Sequence, residues 1–270
     1  MSRRSSIAAR AFALLLVGIT AISILYSGRD TSLATTDTTS TTSTTSTTTV
    51  APDPYFIQQK VIGRSTQGRP IVAIERGTPD GVVVLVVGAI HGDEDAGIKI
   101  VDQLVKLPVP KGIDLWLIPT VNPDGVALQI RGTVNGVDLN RNFPYNWGPI
   151  AKKGNWQWAG LAAKSEPETK ATVRFISKIK PAMVIWYHQD LYRISPSTGK
   201  EGRIRARYAE LTGLPIKTIS GGVYTGVAAT WQRKTVQGSI GFVVELGRAL
   251  SAKKALIHAK AVLTVAKILR

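Results

Sequence analysis

Four short and almost continuously apolar runs constrain the fold of this chain most strongly. They are Val82–Val87, Ile113–Ile118, residues 182–187 and Ile240–Leu246. Such runs are typical of strands that are buried on both faces, as in a parallel sheet covered by helices on each side. The chain of 270 residues, 44% of them hydrophobic, is long enough to bury a core of this kind.

Segments with helical patterning alternate with these runs and complete the predicted fold. The helix candidates are residues 95–107, 166–180 (with Ser165 as the predicted N-cap), 203–211 and 251–269. Residues 56–62 and 71–75 flank a turn and predict a hairpin at one sheet edge. The sequence therefore predicts an α/β fold with a mixed, mostly parallel sheet and helices on both faces, in a single domain of residues 51–270.

The segment before this domain predicts export from the cytoplasm. Residues 1–10 carry Arg3, Arg4 and Arg10, and an apolar run follows from residue 11 to residue 26. A basic segment followed by an apolar one is typical of a secretory signal, and residues 1–30 are expected to act as a signal peptide or an uncleaved signal anchor. The domain would then lie outside the cytoplasm, secreted or tethered to the membrane through this segment.

Residues 31–50 predict a disordered linker. Sixteen of these twenty residues are Ser or Thr, so the segment cannot bury apolar surface. Its hydroxyl groups are candidate O-glycosylation sites, and the segment is expected to act as a spacer between the leader and the domain.

Most of the net positive charge lies in the domain, and this charge favours binding to an anionic partner. Residues 1–50 hold four Arg and two Asp, so +14 of the formal net charge of +16 lies in residues 51–270. An anionic cell envelope is the expected partner, because no nucleic-acid-binding motif accompanies the charge. The absence of Cys excludes disulfides, thiolate metal ligands, a Cys nucleophile and a lipid anchor on Cys.

A candidate metal site follows the first apolar run. His91 follows its end after three intervening residues, and Glu94 lies three positions further on. His188 directly follows the run 182–187, and two His with one Glu form a ligand set that leaves zinc an open position for water. Glu245 closes another apolar run and is a candidate base for that water. His258, in the basic C-terminal segment, is interpreted as an ordinary surface or packing residue.

A second constellation, Val-Asp-Leu-Asn-Arg-Asn-Phe at residues 137–143, is a candidate carboxylate clamp. The guanidinium of Arg141 can bind a carboxylate through two parallel hydrogen bonds, and Asn140 can add a donor beside it. Upstream, Asn-Pro-Asp-Gly at residues 122–125 has the composition of a turn. Arg131 falls between these two motifs, where its side chain can reach the same cavity.

Together these motifs resemble the M14 zinc carboxypeptidases, in order and in spacing, over about residues 55–250. The compact domain is more similar to the bacterial branch that includes murein peptide amidases than to the digestive enzymes. The resemblance implies a zinc carboxypeptidase-like α/β/α sandwich that holds one Zn²⁺ per chain through His91, Glu94 and His188. It also implies Glu245 as general base and Arg131 as the residue that stabilises the developing oxyanion.

The same resemblance implies a substrate site. Asn140 and Arg141 would bind the terminal carboxylate of the substrate, and Tyr224 would match the family's mobile tyrosine. The residues that select the substrate side chain are expected between Tyr224 and Glu245, where Thr230, Gln232 and Arg233 are all candidates.

The function that these observations predict is a zinc metallocarboxypeptidase acting outside the cytoplasm. Its expected substrates are peptides with a free terminal carboxylate, including the stem peptides of peptidoglycan. Two alternatives stay open at this point: a murein peptide amidase, and a non-catalytic cell-wall-binding module on the same fold. The presence of Glu245 beside three candidate ligands favours an enzyme, since a binding module has no use for a base.

Overall fold

A six-stranded sheet forms the centre of the protein. The computed structural model describes residues 52–219, 221–222 and 224–270. The strands are β1 (Phe56–Arg64), β2 (Pro70–Gly77), β3 (Val82–Val87), β4 (Ile113–Ile118), β5 (Met183–Gln189) and β6 (Ile240–Leu246). Their spatial order is β1-β2-β4-β3-β5-β6. The expected signal segment and the linker lie outside the described residues, and both stay predictions.

The pairing of the strands confirms the mixed, mostly parallel sheet. The strands β4, β3, β5 and β6 are parallel to one another, whereas β1 and β2 form an antiparallel hairpin that pairs with β4. The parallel strands are the four apolar runs of the sequence. Three of them have the predicted bounds, whereas β5 begins one residue later, at Met183, and ends two residues later, at Gln189.

The described residues contain six α-helices. They are α1 (Ile98–Leu104), α2 (Pro123–Leu128), α3 (Pro167–Ile179), α4 (Gly199–Thr212), α5 (Ala228–Thr235) and α6 (Ala252–Ala266). One apolar cluster joins the sheet to α1, α4 and α6, and a second joins it to α3 and α5. Alternate residues of β3 divide between the clusters, with Val84 and Val86 in the first and Leu85 and Val87 in the second, as strand geometry requires.

Three local predictions differ from the structure. The N-cap of α3 is Glu166 and not Ser165, whose hydroxyl instead donates to Glu166 Oε1 at 2.9 Å. The predicted turn at residues 122–125 is the start of α2, where the Asn122 side chain accepts from the N–H of Gly125 at 3.0 Å. The helix α5 was not predicted, because a Gly-rich stretch precedes it and only a few of its eight residues are apolar.

Among the helices of the described ranges, none has the length and apolarity needed to cross a membrane.

Candidate active site

The ends of three neighbouring parallel strands carry the candidate site. His91 follows β3, His188 is the next-to-last residue of β5, and Glu245 is the next-to-last residue of β6. His188 and Glu245 lie opposite each other in the β5–β6 register. The carboxyl ends of parallel strands meet at one edge of the sheet, which is where open α/β sheets place their binding sites.

The three predicted metal ligands converge on one point. Glu94 Oε2 lies 3.0 Å from His91 Nδ1 and 2.9 Å from His188 Nδ1. One potential ligand atom from each of the three residues lies within 4.8 Å of the other two, and all three side chains are buried. The prediction of a shared site for His91, Glu94 and His188 therefore agrees with their placement.

The hydrogen bonding of His91 fits a bound metal ion. His91 Nε2 donates to Asp138 Oδ1 at 2.9 Å, which leaves a lone pair on Nδ1 in the neutral ring. That Nδ1 is buried and makes no hydrogen bond of acceptable geometry with the described residues, although a carboxylate oxygen lies 3.0 Å away. Two lone pairs at this distance repel each other unless a metal ion or a proton lies between them. A carboxylate behind the ligating histidine is also the usual support of a zinc site.

Arg131 forms hydrogen bonds with two carboxylates beside the predicted metal ligands. Its guanidinium donates to Glu94 Oε1 at 2.5 Å and to Asp138 Oδ2 at 3.2 Å. Burial alone would raise the pKa of Glu94, but the adjacent imidazole groups of His188 and His91 outweigh it and hold the pKa far below its usual value. Glu94 is therefore an anion in the folded protein, as a metal ligand must be.

Glu245 is a buried carboxylate that is open to the site. It is 9% exposed, and its Oε2 has no hydrogen-bond partner among the described residues. Burial is the main cause that raises its pKa, the negative charge of Glu94 adds to this, and His188 opposes it. A carboxylate with a raised pKa is a better proton acceptor than an ordinary one, which suits a general base.

Arg141, Asn140 and Tyr224 form the candidate substrate clamp. The Arg141 guanidinium donates to the Asn140 carbonyl at 2.8 Å and lies over the Tyr224 ring at 5.2 Å from its centre. Burial lowers the pKa of Arg141, an effect that the charge of Asp138 opposes. The Asn140 side chain accepts from the N–H of Ala228, so the clamp is attached to the start of α5. Tyr224 is half exposed.

All eight residues predicted for the site line one cavity of about 850 Å³. They are His91, Glu94, Arg131, Asn140, Arg141, His188, Tyr224 and Glu245. Of the three candidates for side-chain selection, Thr230 and Arg233 line the cavity and Gln232 does not. Gln232 is fully buried and bonds to Ser239 and Ile240.

Sequence reasoning missed three charged residues of the site. Asp138 lies within the motif of residues 137–143, but its bond to His91 depends on the fold, and the acids next to Glu94 in sequence are Asp93 and Asp95. Asp93 is exposed, and Asp95 accepts a hydrogen bond from Gln129. Glu201 and Arg205 on α4 also line the cavity, and their spacing of four residues was the available signal.

His258 lies outside the cavity and packs in the core. It is 3% exposed, and its Nδ1 lies 2.8 Å from the Tyr208 hydroxyl, which in turn contacts the Tyr187 hydroxyl at 2.7 Å. Burial lowers the pKa of His258 to about 4, so the ring is neutral at pH 7. Of the two interpretations from sequence, the packing residue agrees with the structure.

The mixed sheet with a His-Glu-His set at its carboxyl edge defines the zinc carboxypeptidase-like class of α/β proteins. A family model described as zinc carboxypeptidase, peptidase M14, matches residues 46–192, which is more than half of the chain. The chain belongs to this family. The matched range includes His91, Glu94 and His188 but not Glu245, whose position in the site comes from the structure.

Individual relatives point to the bacterial branch. Murein peptide amidase A of Escherichia coli K12 is 31% identical over 185 residues, covering 63% of this chain and 74% of the relative. The crystal structure of the murein-tripeptide amidase of E. coli O157 superposes with a TM-score of 0.60 at 26% identity, over 79% of this chain and 92% of that one. Carboxypeptidase A of Helicoverpa armigera shares the fold, with a TM-score of 0.68 at 18% identity over 80% of this chain and 69% of that one. These relatives support a peptidase or amidase.

Proposed function

We propose that this protein is a zinc-dependent hydrolase that cleaves peptidoglycan stem peptides beside a free carboxylate, outside the cytoplasm. The observation that carries the proposal is one cavity in which His91, Glu94 and His188 converge next to Glu245, whose Oε2 has no hydrogen-bond partner among the described residues. This arrangement has the parts that metal-assisted hydrolysis needs.

The donor set of the site fits Zn²⁺. Two imidazole nitrogens and one carboxylate are the zinc ligands of carboxypeptidase-type enzymes and leave one position open, and the orientation of His91 toward Glu94 agrees with this use. When bound there, zinc would polarise the scissile carbonyl and lower the pKa of a coordinated water.

The chain's own residues supply the remaining chemistry. Glu245 Oε2 would accept a proton from the attacking water and pass it to the leaving amine. Arg131, held by Glu94 and Asp138, would place positive charge beside the carbonyl oxygen as negative charge develops there. Arg141 would hold a carboxylate of the substrate, and the contact with Tyr224 would orient its guanidinium plane.

Sequence similarity favours an amidase of peptidoglycan peptides over a general carboxypeptidase. The murein peptide amidase of E. coli K12 is 31% identical over 185 residues, whereas the carboxypeptidase relatives are 28–29% identical over 114–162 residues. A carboxypeptidase remains the second candidate, because Arg141 with Asn140 in the cavity is suited to a C-terminal carboxylate.

The envelope is the location that fits both substrate and charge. The basic leader with its apolar run supports export, and the +14 charge of residues 51–270 would concentrate the domain on an anionic wall. An uncleaved leader would keep the enzyme at the membrane, with residues 31–50 as a spacer.

A digest of purified muropeptides and of a peptide library with varied C-termini, read by mass spectrometry, tests the proposal. Cleavage within the stem peptides that a chelator abolishes supports the amidase. Loss of single C-terminal residues from the library would instead select the carboxypeptidase. If neither substrate set is cleaved in a zinc-dependent way and the protein still binds cell walls, the proposed enzyme is wrong and a non-catalytic binding module is the better interpretation.

A further inference from the structure

One wall of the cavity carries charged side chains that the proposed chemistry does not use. We call it the α4–α5 wall; it consists of Glu201, Arg205, Thr230, Arg233 and Lys234, all of which line the cavity. Glu201 pairs closely with Arg205, and its Oε1 lies 3.7 Å from Arg233 Nη1. One carboxylate thus lies between two guanidinium groups, and with Lys234 the wall has a surplus of positive charge.

The guanidinium of Arg205 is occupied by contacts within the folded protein. Its guanidinium donates to the Ser195 carbonyl at 2.7 Å and lies over the Phe242 ring, and its side chain is only 7% exposed. Glu201, one helical turn away, compensates this buried charge. The pair therefore explains how α4 is held against β6, and it leaves little of the Glu201 charge for Arg233.

Arg233 is the guanidinium of the wall that is available to a ligand. Its side chain is 32% exposed, its Nη1 is anchored on the Gly241 carbonyl at 2.7 Å, and its Nη2 lies 3.3 Å from Thr230 Oγ1. A guanidinium has five N–H donors, more than these contacts use. Since the anchor fixes its plane, the group is pre-positioned for two hydrogen bonds to a carboxylate.

We infer that the α4–α5 wall binds a carboxylate at the end of the substrate side chain, with Arg233 as the residue that contacts it. This rests on the proposed function, because it specifies which substrates the same cavity accepts. The carboxylate can belong to a simple acidic residue or to a diamino dicarboxylic residue of a cell-wall peptide. In the second case, Glu201 would also accept from the ammonium group. An apolar side chain would leave Arg233 without a ligand and is disfavoured.

A matched substrate series measures this selectivity. Four peptides differ only in the residue released by cleavage: 2-aminopimelate, 2,6-diaminopimelate, lysine and 2-aminoheptanoate. The zinc-loaded protein is expected to cleave the first two with a kcat/KM at least about tenfold above the last two, as a charged hydrogen bond requires. The ratio between the first two identifies the source of the carboxylate. Equal rates for 2-aminoheptanoate and 2-aminopimelate would overturn the inference.

Variants assign the selectivity to Arg233. Arg233→Gln should lower kcat/KM for the two carboxylate substrates at least about tenfold and leave 2-aminoheptanoate within about twofold. For these two substrates, the kcat/KM of Arg233→Lys should lie between the values of the unsubstituted protein and of Arg233→Gln, because lysine keeps the positive charge but lacks the planar guanidinium. This variant also serves as the second test if Arg233→Gln is unstable. Arg207→Gln is the matched control, since Arg207 lies on α4, pairs with Glu210 and does not line the cavity. Equal losses in Arg233→Gln for all four substrates would contradict a selective contact.

A binding measurement separates this inference from the proposed function. Calorimetric titration of the Glu245→Gln protein with free 2-aminopimelate and 2-aminoheptanoate needs no turnover. Tighter binding of 2-aminopimelate by at least about tenfold, lost in Glu245→Gln/Arg233→Gln, supports the wall as a carboxylate site even if no peptide is cleaved. If peptides are cleaved but neither the rates nor the affinities favour 2-aminopimelate over 2-aminoheptanoate, the inference is wrong while the proposed function stands.

Discussion

Asp138 is the single residue that links most of the candidate site. Its Oδ1 accepts from His91 Nε2 at 2.9 Å and from the N–H of Asn140 at 2.8 Å, and its Oδ2 accepts from Arg131. Burial would raise the pKa of Asp138, but the charges of His91, Arg131 and Arg141 outweigh it and lower the pKa below its usual range. A permanent anion here fixes the His91 ring with Nδ1 toward Glu94.

Replacing Asp138 by Asn should weaken zinc binding about 10- to 100-fold, as is typical when the carboxylate behind a ligating histidine is lost. Competition with a fluorescent zinc chelator measures the change. Asp93→Asn is the matched control, because Asp93 is an exposed acid close to the ligands in sequence. Zinc affinity that falls equally in both variants would mean that the general charge matters and the His91–Asp138 bond does not.

Replacing Glu245 by Gln should reduce hydrolysis at least about 100-fold while one zinc per chain is still bound, since the amide cannot accept the proton from water. Steady-state rates together with metal analysis separate the two effects. Glu210→Gln, an exposed substitution on α4, should keep full activity. Substantial turnover by the Glu245→Gln protein would assign the base to another residue.

At the level of elements, the apolar runs determined how much of the fold was predictable. The four parallel strands were read correctly because each is a run of residues buried on both faces. The helix α5 was not predicted, since its position depends on contacts with residues far away in sequence, such as the hydrogen bond from Ala228 N–H to the Asn140 side chain. For the same reason the roles of Glu201 and Arg205 could not be read: only the fold brings α4 beside β6 and α5.

The strand β4 carries a carboxylate that opposes folding at neutral pH. Asp114 is 6% exposed, and its Oδ1 has no hydrogen-bond partner among the described residues. Burial, with the nearby charge of Glu75, raises the pKa of Asp114 from 3.8 to about 6. A raised pKa in the folded state means that ionisation costs free energy, so stability from this group is lost as pH rises from about 4 to about 6.

Asp114→Asn should therefore raise the free energy of unfolding by about 1 to 3 kcal/mol above pH 6, and the gain should vanish near pH 4. Urea unfolding at pH 4, 5, 6 and 7.5 measures it. Asp102→Asn, at an exposed position of α1, should leave stability nearly unchanged throughout. A gain from Asp114→Asn that is constant with pH would contradict the electrostatic explanation.

At the level of the whole molecule, the surplus of basic residues predicts salt-dependent attachment to cell walls. Binding of the protein to purified anionic sacculi should weaken steeply between about 50 and 500 mM NaCl, because salt screens charge attraction over distances beyond about 10 Å. Co-sedimentation measures the bound fraction. Binding that is insensitive to salt would instead point to recognition of an uncharged wall component.

The most direct test of the proposed metal site is a zinc titration of the chelator-treated protein with hydrolysis of a muropeptide as the readout. Activity should be absent before zinc is added, return in proportion to zinc and saturate at one equivalent per chain. In the His188→Ala protein the same titration should restore little activity. Full hydrolysis without metal, or full restoration in the His188→Ala protein, would contradict the assignment of His91, Glu94 and His188 as the metal site.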